Sequence, residues 1–159
     1  MTIMSNHPIK TNPNMPKAAK WLSYLGSVPF VISSLAVFFL ASDPFLSGLF
    51  RATLIGYGAV ILSFLGGIRW GTALSRSDSS GQNWEMVLSI LPPFFGWICV
   101  LVPNPAAALL LLSCCYAWQV FIDMRATRRA ELPIWFGHMR IQLTILAITC
   151  LLFGAISLL

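Results

Sequence analysis

Arg69 is the side chain whose type and position most invite chemistry, because it stands inside an otherwise apolar run, near the end of that run. A guanidinium placed there has three uses. Its long stem can lift the charge to the lipid phosphates, it can pair with Asp123 or Glu85 at the ends of neighbouring apolar runs, or its planar fork can grip an anion such as a phosphate headgroup. Intramembrane charges tend to be functional, and one at the bilayer centre costs about 2.5–3.5 kcal/mol on insertion scales. Tyr24, Trp70, Pro92 beside Pro93, Gln119 and Asp123 fall toward the same end of their runs, with Ser27, Thr72, Ser89, Tyr116, Gln142 and Thr144. Together they predict a polar pocket at one end of a helical bundle, where prolines free backbone groups for use. The plainer alternative is that helix ends near headgroups are polar and that prolines bend helices for packing. The sequence leaves both open.

Catalytic spacings are missing. There is no G-x-S-x-G, no H-E-x-x-H and no phosphate loop, and neither His7 nor His138 has a second metal ligand nearby in the chain. Cys99, Cys114, Cys115 and Cys150 lie in apolar runs without a C-x-x-C spacing, which predicts buried free thiols and no metal or redox centre. Tyr24, Trp70, Trp84, Trp118 and Trp135 could stack on a quinone or porphyrin ring, although an aromatic belt at the membrane interface accounts for them more simply. The expectation is a protein that is not an enzyme and carries no cofactor.

The elements that must hold these residues are membrane spans. The chain has 159 residues, 57% of them hydrophobic and 9% charged, with a mean hydropathy of +0.79. A soluble domain devotes about 25% of its residues to charge, so this chain cannot cover itself in water. Apolar runs predict five transmembrane helices, at 21–41, 53–73, 86–102, 106–122 and 141–159. Residues 1–16, with Pro8, Pro13 and Pro16 among Asn, Ser and Thr, read as a disordered tail with no signal-peptide pattern. Pro29 predicts a kink in the first half of span one, Pro92-Pro93 a break in span three, and Pro103-Asn104-Pro105 a tight turn before span four. Span two carries Gly56, Gly58, Gly66, Gly67 and Gly71. At about 100° per residue, Ala59, Ser63, Gly67 and Gly71 form a ridge of small side chains with Gly56 and Gly66 beside it. Close contact across small residues holds helices together in lipid, which makes this helix the expected packing centre.

The net charge of +5 reports orientation before it reports partners. With five spans, Lys10, Lys17, Lys20, Arg69, Arg76, Arg125, Arg128, Arg129 and Arg140 gather at one side and Arg51 alone at the other. The positive-inside rule then puts the amino terminus in the cytoplasm and the carboxyl terminus outside. No basic soluble surface is left for a nucleic acid.

The run from Tyr57 to Gly71, with Leu25-Gly26 and Pro29-Phe30, Leu91-Pro92 and Gly96-Trp97, and Leu132-Pro133-Ile134-Trp135 before Arg140, is similar to the membrane family called domain of unknown function 3429. The resemblance covers Lys17 to the end. It implies an all-α five-helix bundle in a bacterial inner membrane, or in eukaryotes a mitochondrial one, and supplies no activity or catalytic residues. The expected role is a structural or assembly subunit of a membrane complex, meeting the lipid bilayer and a membrane-protein partner or further copies of itself. The alternative is a small carrier or lipid-binding protein whose pocket, around Arg69, Pro92-Pro93 and Gln119, opens to the cytoplasmic leaflet.

Overall fold

Prolines and capping residues divide the chain into its helices. The computed structural model describes residues 14–75 and 79–157, with side chains from 82 onward in the second stretch; the expectations for His7, Lys10, Arg76 and most of the tail lie outside them. The described residues form six helices: α1 (Lys17–Leu25), α2 (Val28–Phe39), α3 (Pro44–Leu74), α4 (Ser79–Leu101), α5 (Pro105–Arg128) and α6 (Ile134–Ile156). The described residues form no strand. Counting α1 and α2 as one crossing, five segments among the described residues are long and apolar enough to span a membrane.

The first crossing breaks where Pro29 requires it. Proline has no N–H for the Leu25 carbonyl and its ring crowds that carbonyl, so the helix stops at Leu25 and restarts at Val28. Carbonyls on either side of Leu25 gain side-chain donors at the break: Ser27 Oγ donates to the Tyr24 carbonyl at 2.6 Å, and Tyr57 Oη of α3 donates to the Gly26 carbonyl at 2.7 Å. By contrast, α4 runs unbroken through Pro92 and Pro93, which corrects the expected interruption. Pro93 leaves the Ser89 carbonyl without its helical donor, and that oxygen turns to α3 at Gly66, where an added Cβ would stand 2.5 Å from it. The missing side chain lets the two helices close over the defect, and neighbouring helices are what make prolines tolerable inside membrane spans.

The small-residue contact on α3 is rotated from the expected ridge. A Cβ at Gly58 would meet Leu112 of α5 at 2.5 Å, Gly66 abuts Ser89, Pro92 and Pro93, and Ala59 receives Gly96 of α4. Leu54, Leu62 and Leu65 share this face and are buried. Gly56, Gly67 and Gly71 have nothing within 4 Å of where a Cβ would sit, and Ser63 turns its hydroxyl to the Ala59 carbonyl of its own helix. Ala59 and Gly66 therefore serve close packing, whereas Gly67 and Gly71 do not. Counting small residues cannot tell an inner stripe from an outer one; the large residues between them decide, because Leu54, Leu62 and Leu65 must be buried together.

Several helices begin before or end after their apolar runs, α4 at Ser79 and α6 at Ile134 included. The Asp43 carboxylate caps α3 by accepting from the Phe45 and Leu46 N–H groups at 2.9 and 3.0 Å, with Pro44 in the first turn, so the helix starts well before 53. Asn104 likewise caps α5 by accepting from the Ala107 N–H at 3.1 Å, and that helix runs past 122 to Arg128. Of the four cysteines, Cys99, Cys115 and Cys150 are buried and Cys114 is exposed on the outer face of α5, so burial holds for three of them.

The α5–α6 hairpin closes with a left-handed residue. Ala130 has φ 58°, its N–H bonds the Thr127 carbonyl at 3.0 Å, and the Glu131 N–H reaches back to Ala126 at 3.0 Å, the paired bonds of a Schellman ending. Glycine is the usual occupant because a Cβ there costs about 1 kcal/mol. Ala130→Gly is expected to stabilise the protein by about 1 kcal/mol, read as a raised unfolding midpoint in detergent; an unchanged or lower midpoint would contradict this geometry.

Candidate functional site

The hairpin of α5 and α6 brings together the two buried charges of the chain's described part. Gly137 lets α6 approach α5 so closely that an added Cβ would lie 2.9 Å from Thr127 Cγ2. One further turn into the bundle, Asp123 and Arg140 meet, with Arg140 Nε donating to Asp123 Oδ2 at 2.9 Å. Asp123 is 3% and Arg140 4% exposed. One turn along α5, the wholly buried Gln119 donates from Nε2 to Asp123 Oδ1 at 2.9 Å, so both carboxylate oxygens are engaged. Around the carboxylate three polar atoms, the donor Nη2, the acceptor Oε1 and a hydroxyl, are not matched in the same way. Arg140 Nη2, Gln119 Oε1 and Thr144 Oγ1 are buried with no hydrogen-bond partner among the described residues. A buried donor left unmet costs about 1–3 kcal/mol, more when it is charged.

Arg140 also forms part of the wall of a cavity of about 360 Å³ between α1, the start of α2, α3 and α6. Ligand sites commonly enclose about 300–1,000 Å³ and are apolar with a few placed polar groups. Phe30, Leu65, Tyr116 and Arg140 are the buried base of this cavity, and Leu22 and Phe64 on its rim are exposed, so it opens sideways, toward where lipid would lie. Tyr116 Oη is already committed to the Gly58 carbonyl at 2.8 Å, and Ser27 Oγ to Tyr24. The α1–α2 break shapes the opening: Gly26 and Ser27 line it, and Tyr24 Oη donates to Gln142 Oε1 on α6 at 2.8 Å, tying the short helix across.

The residues singled out in the sequence do not form one site. Gln119 and Asp123 are brought together, Tyr24 reaches α6 beside the cavity mouth, Trp70 is exposed on α3, and Pro92 is buried against Gly66. Arg69 is half-buried with Nε and Nη1 unpartnered, and the carboxylate of Asp123 is held by Arg140 and Gln119, so of the uses open to Arg69 the pairing with Asp123 is not the one formed. Trp84 is exposed, Trp118 meets Phe95 with ring centroids 6.3 Å apart, and Trp135 lines the cavity. His138 is exposed, and no group of three metal-ligating side chains occurs among the described residues. Arg140 itself was counted among loop charges in the sequence. Hairpin register would have found it: a turn at 129–133 places residue 123 opposite residue 140.

The chain resembles known proteins along nearly its whole length. The family model described as "Protein of unknown function (DUF3429)" matches residues 15–156. The curated "Transmembrane protein 69" of Xenopus tropicalis is 28% identical over 159 aligned residues, covering 95% of this chain and 58% of the relative. Its namesake in Mus musculus is 30% identical over 137 residues, covering 83% of this chain and 53% of the relative. The chain thus spans somewhat over half the length of the curated relatives it matches. No solved structure matches it.

Proposed function

We propose, for a chain that belongs to the DUF3429 family of proteins of unknown function, that this multi-pass membrane protein holds one amphipathic, lipid-like molecule within the bundle. The observation that carries the proposal is the lateral cavity, apolar along its walls and ending at a buried guanidinium. A packed membrane bundle has no need of such a space. An opening bounded by a helix break, with its rim exposed sideways, suits a molecule that enters from the bilayer. The basic residues gather toward the same end of the spans, and by the positive-inside rule this supports a cavity that faces the cytoplasmic leaflet; a bacterial inner membrane is the setting proposed. No covalent step is required of any residue, and the role is binding or carriage.

Leu143 lines the cavity from α6 and is only half-buried, so a larger side chain can enter the space without breaking the core. Leu143→Trp is expected to reduce the lipid-like molecules retained through mild detergent extraction at least about tenfold, the effect of about 1.4 kcal/mol of lost affinity. Mass spectrometry of the intact protein reads the difference. Equal retention by the variant and the wild type, with helix content the same, would contradict the proposal.

A second reading, a structural or assembly subunit, is favoured by one observation. Gly56, Gly67 and Gly71 leave an open, small-residue face on the outside of α3, the kind of surface on which membrane helices associate. A partner helix or a second copy of the chain would fit there.

A further inference from the structure

We propose that the cavity recognises a neutral carbonyl group, that of a quinone ring or of a lipid ester, through the unpartnered Nη2 donor of Arg140; this rests on the cavity being a binding site. The guanidinium uses Nε for Asp123 and keeps Nη2 buried without an acceptor, and Arg140 is among the residues that line a mostly apolar space. Arg140 is the one charged side chain among the residues lining the cavity. Of the hydroxyls that line the space, Tyr116 at the base is spent on Gly58 and Ser27 at the opening on Tyr24, which leaves Ser23 on α1, half-buried, as the neutral donor beside Arg140. The ligand therefore needs an acceptor at one point and an apolar body elsewhere.

The charge balance selects the kind of acceptor. Asp123 neutralises Arg140 within hydrogen-bond distance, and both are nearly sheathed from solvent. A phosphate or carboxylate entering the cavity would add a net negative charge where burial of an unpaired ion is costly. A carbonyl oxygen adds none. It accepts a hydrogen bond from a charged donor, the stronger kind, and satisfies a group that is otherwise orphaned. Asp123 and Gln119 are positioning residues: Asp123 holds the guanidinium by Nε, Gln119 holds Asp123, and Nη2 is left without an acceptor.

Aromatic walls fit either source of that carbonyl. Phe30, Phe64, Trp135 and Phe136 offer faces and edges to a planar ring and equally to an acyl chain. The experiment measures binding to the full chain in detergent micelles by mass spectrometry of the intact protein, with probes that share a decyl chain. Decyl-benzoquinone and methyl decanoate carry carbonyls, decylbenzene carries none, and decyl phosphate carries an anion. Both carbonyl probes are expected to bind at least about tenfold more tightly than decylbenzene, the ratio a hydrogen bond to a charged donor supplies. Arg140→Lys, which keeps the charge beside Asp123 but removes the fork, should bring the probes close to parity. A quinone bound more tightly than the ester names the ring as the source, and the reverse names a glycerolipid. The ranking in the wild type decides the matter even if the variant fails to fold. Equal binding of decylbenzene and the carbonyl probes overturns the carbonyl assignment while leaving the cavity a binding site, and decyl phosphate binding tightest overturns it in favour of an anion. Failure of all four to bind overturns the cavity reading with it.

Discussion

Asp123→Ala is expected to destabilise the bundle by about 3–5 kcal/mol, the cost of leaving one charge of a buried pair alone. The size follows from what the carboxylate does. It accepts from Arg140 Nε and from Gln119 Nε2, each at 2.9 Å, inside a site where both ions are less than a twentieth exposed. Removing it strands a guanidinium and an amide together. Replacing both ions with apolar residues of similar size is a different experiment. Asp123→Leu with Arg140→Met should return stability to within about 1–2 kcal/mol of the wild type, because apolar replacement of a buried pair is often neutral or better. Unfolding followed by far-ultraviolet circular dichroism in detergent separates the cases. A single substitution within about 1 kcal/mol of the wild type would contradict the pair as a keystone, since such tolerance is normal only at surface positions. If the double variant is stable yet retains no ligand, the ion pair serves binding and not folding.

Gly66→Leu and Gly67→Leu should differ greatly although they are adjacent. At Gly66 the first atom of any side chain would meet the backbone oxygen of Ser89 at 2.5 Å and the Pro93 ring at 2.8 Å, and neither can rotate away. Overpacking typically costs about 1–3 kcal/mol and here should reach at least about 3, since α3 and α4 must separate. At Gly67 nothing lies within 4 Å of the added atom. Gly67→Leu should therefore leave folding within about 0.5 kcal/mol of the wild type. Comparable losses at both positions would mean that the face of α3 toward α4 is wrongly placed. The Gly67 variant also probes the assembly reading: if a partner helix sits on the open face, its recovery from the native membrane should fall while the isolated chain stays folded.

Much of the fold was legible because lipid permits so few solutions. Backbone groups in hydrocarbon must be satisfied within a helix, so apolar runs of near 20 residues translate directly into spans. Proline positions marked two of the irregularities, the Gly26–Ser27 break and the turn at Pro103-Asn104-Pro105. The third, at Pro92-Pro93, read as a break because a helix seen alone loses its bonds there. The compensating contact comes from Gly66, on another helix, and a single strand of sequence does not display it.

The candidate site was half legible for a related reason. Charges were used to end the spans, which stopped span four at 122 and began span five at 141, leaving Asp123 and Arg140 just outside. Paired, the two neutralise each other, and α5 and α6 run on through them. Arg69 drew attention as a lone charge, yet the buried salt bridge belongs to a residue that looked like an interfacial arginine. Gln119 and Asp123 are named in the sequence only as polar residues at one end of span four; their spacing of four on α5 is what lets them bond. The cavity was not legible, because it exists only where the α1–α2 break, α3 and α6 leave a gap, and no local pattern encodes a gap between helices distant in the chain.

The most direct test is native mass spectrometry of the protein released gently from its own membrane, asking what travels with it. The account predicts the chain carrying one neutral, carbonyl-bearing lipid or quinone at near-equal stoichiometry, lost in Leu143→Trp. A chain that leaves the membrane with a stoichiometric protein partner and an empty cavity would contradict it, and would make the open face of α3 the functional surface.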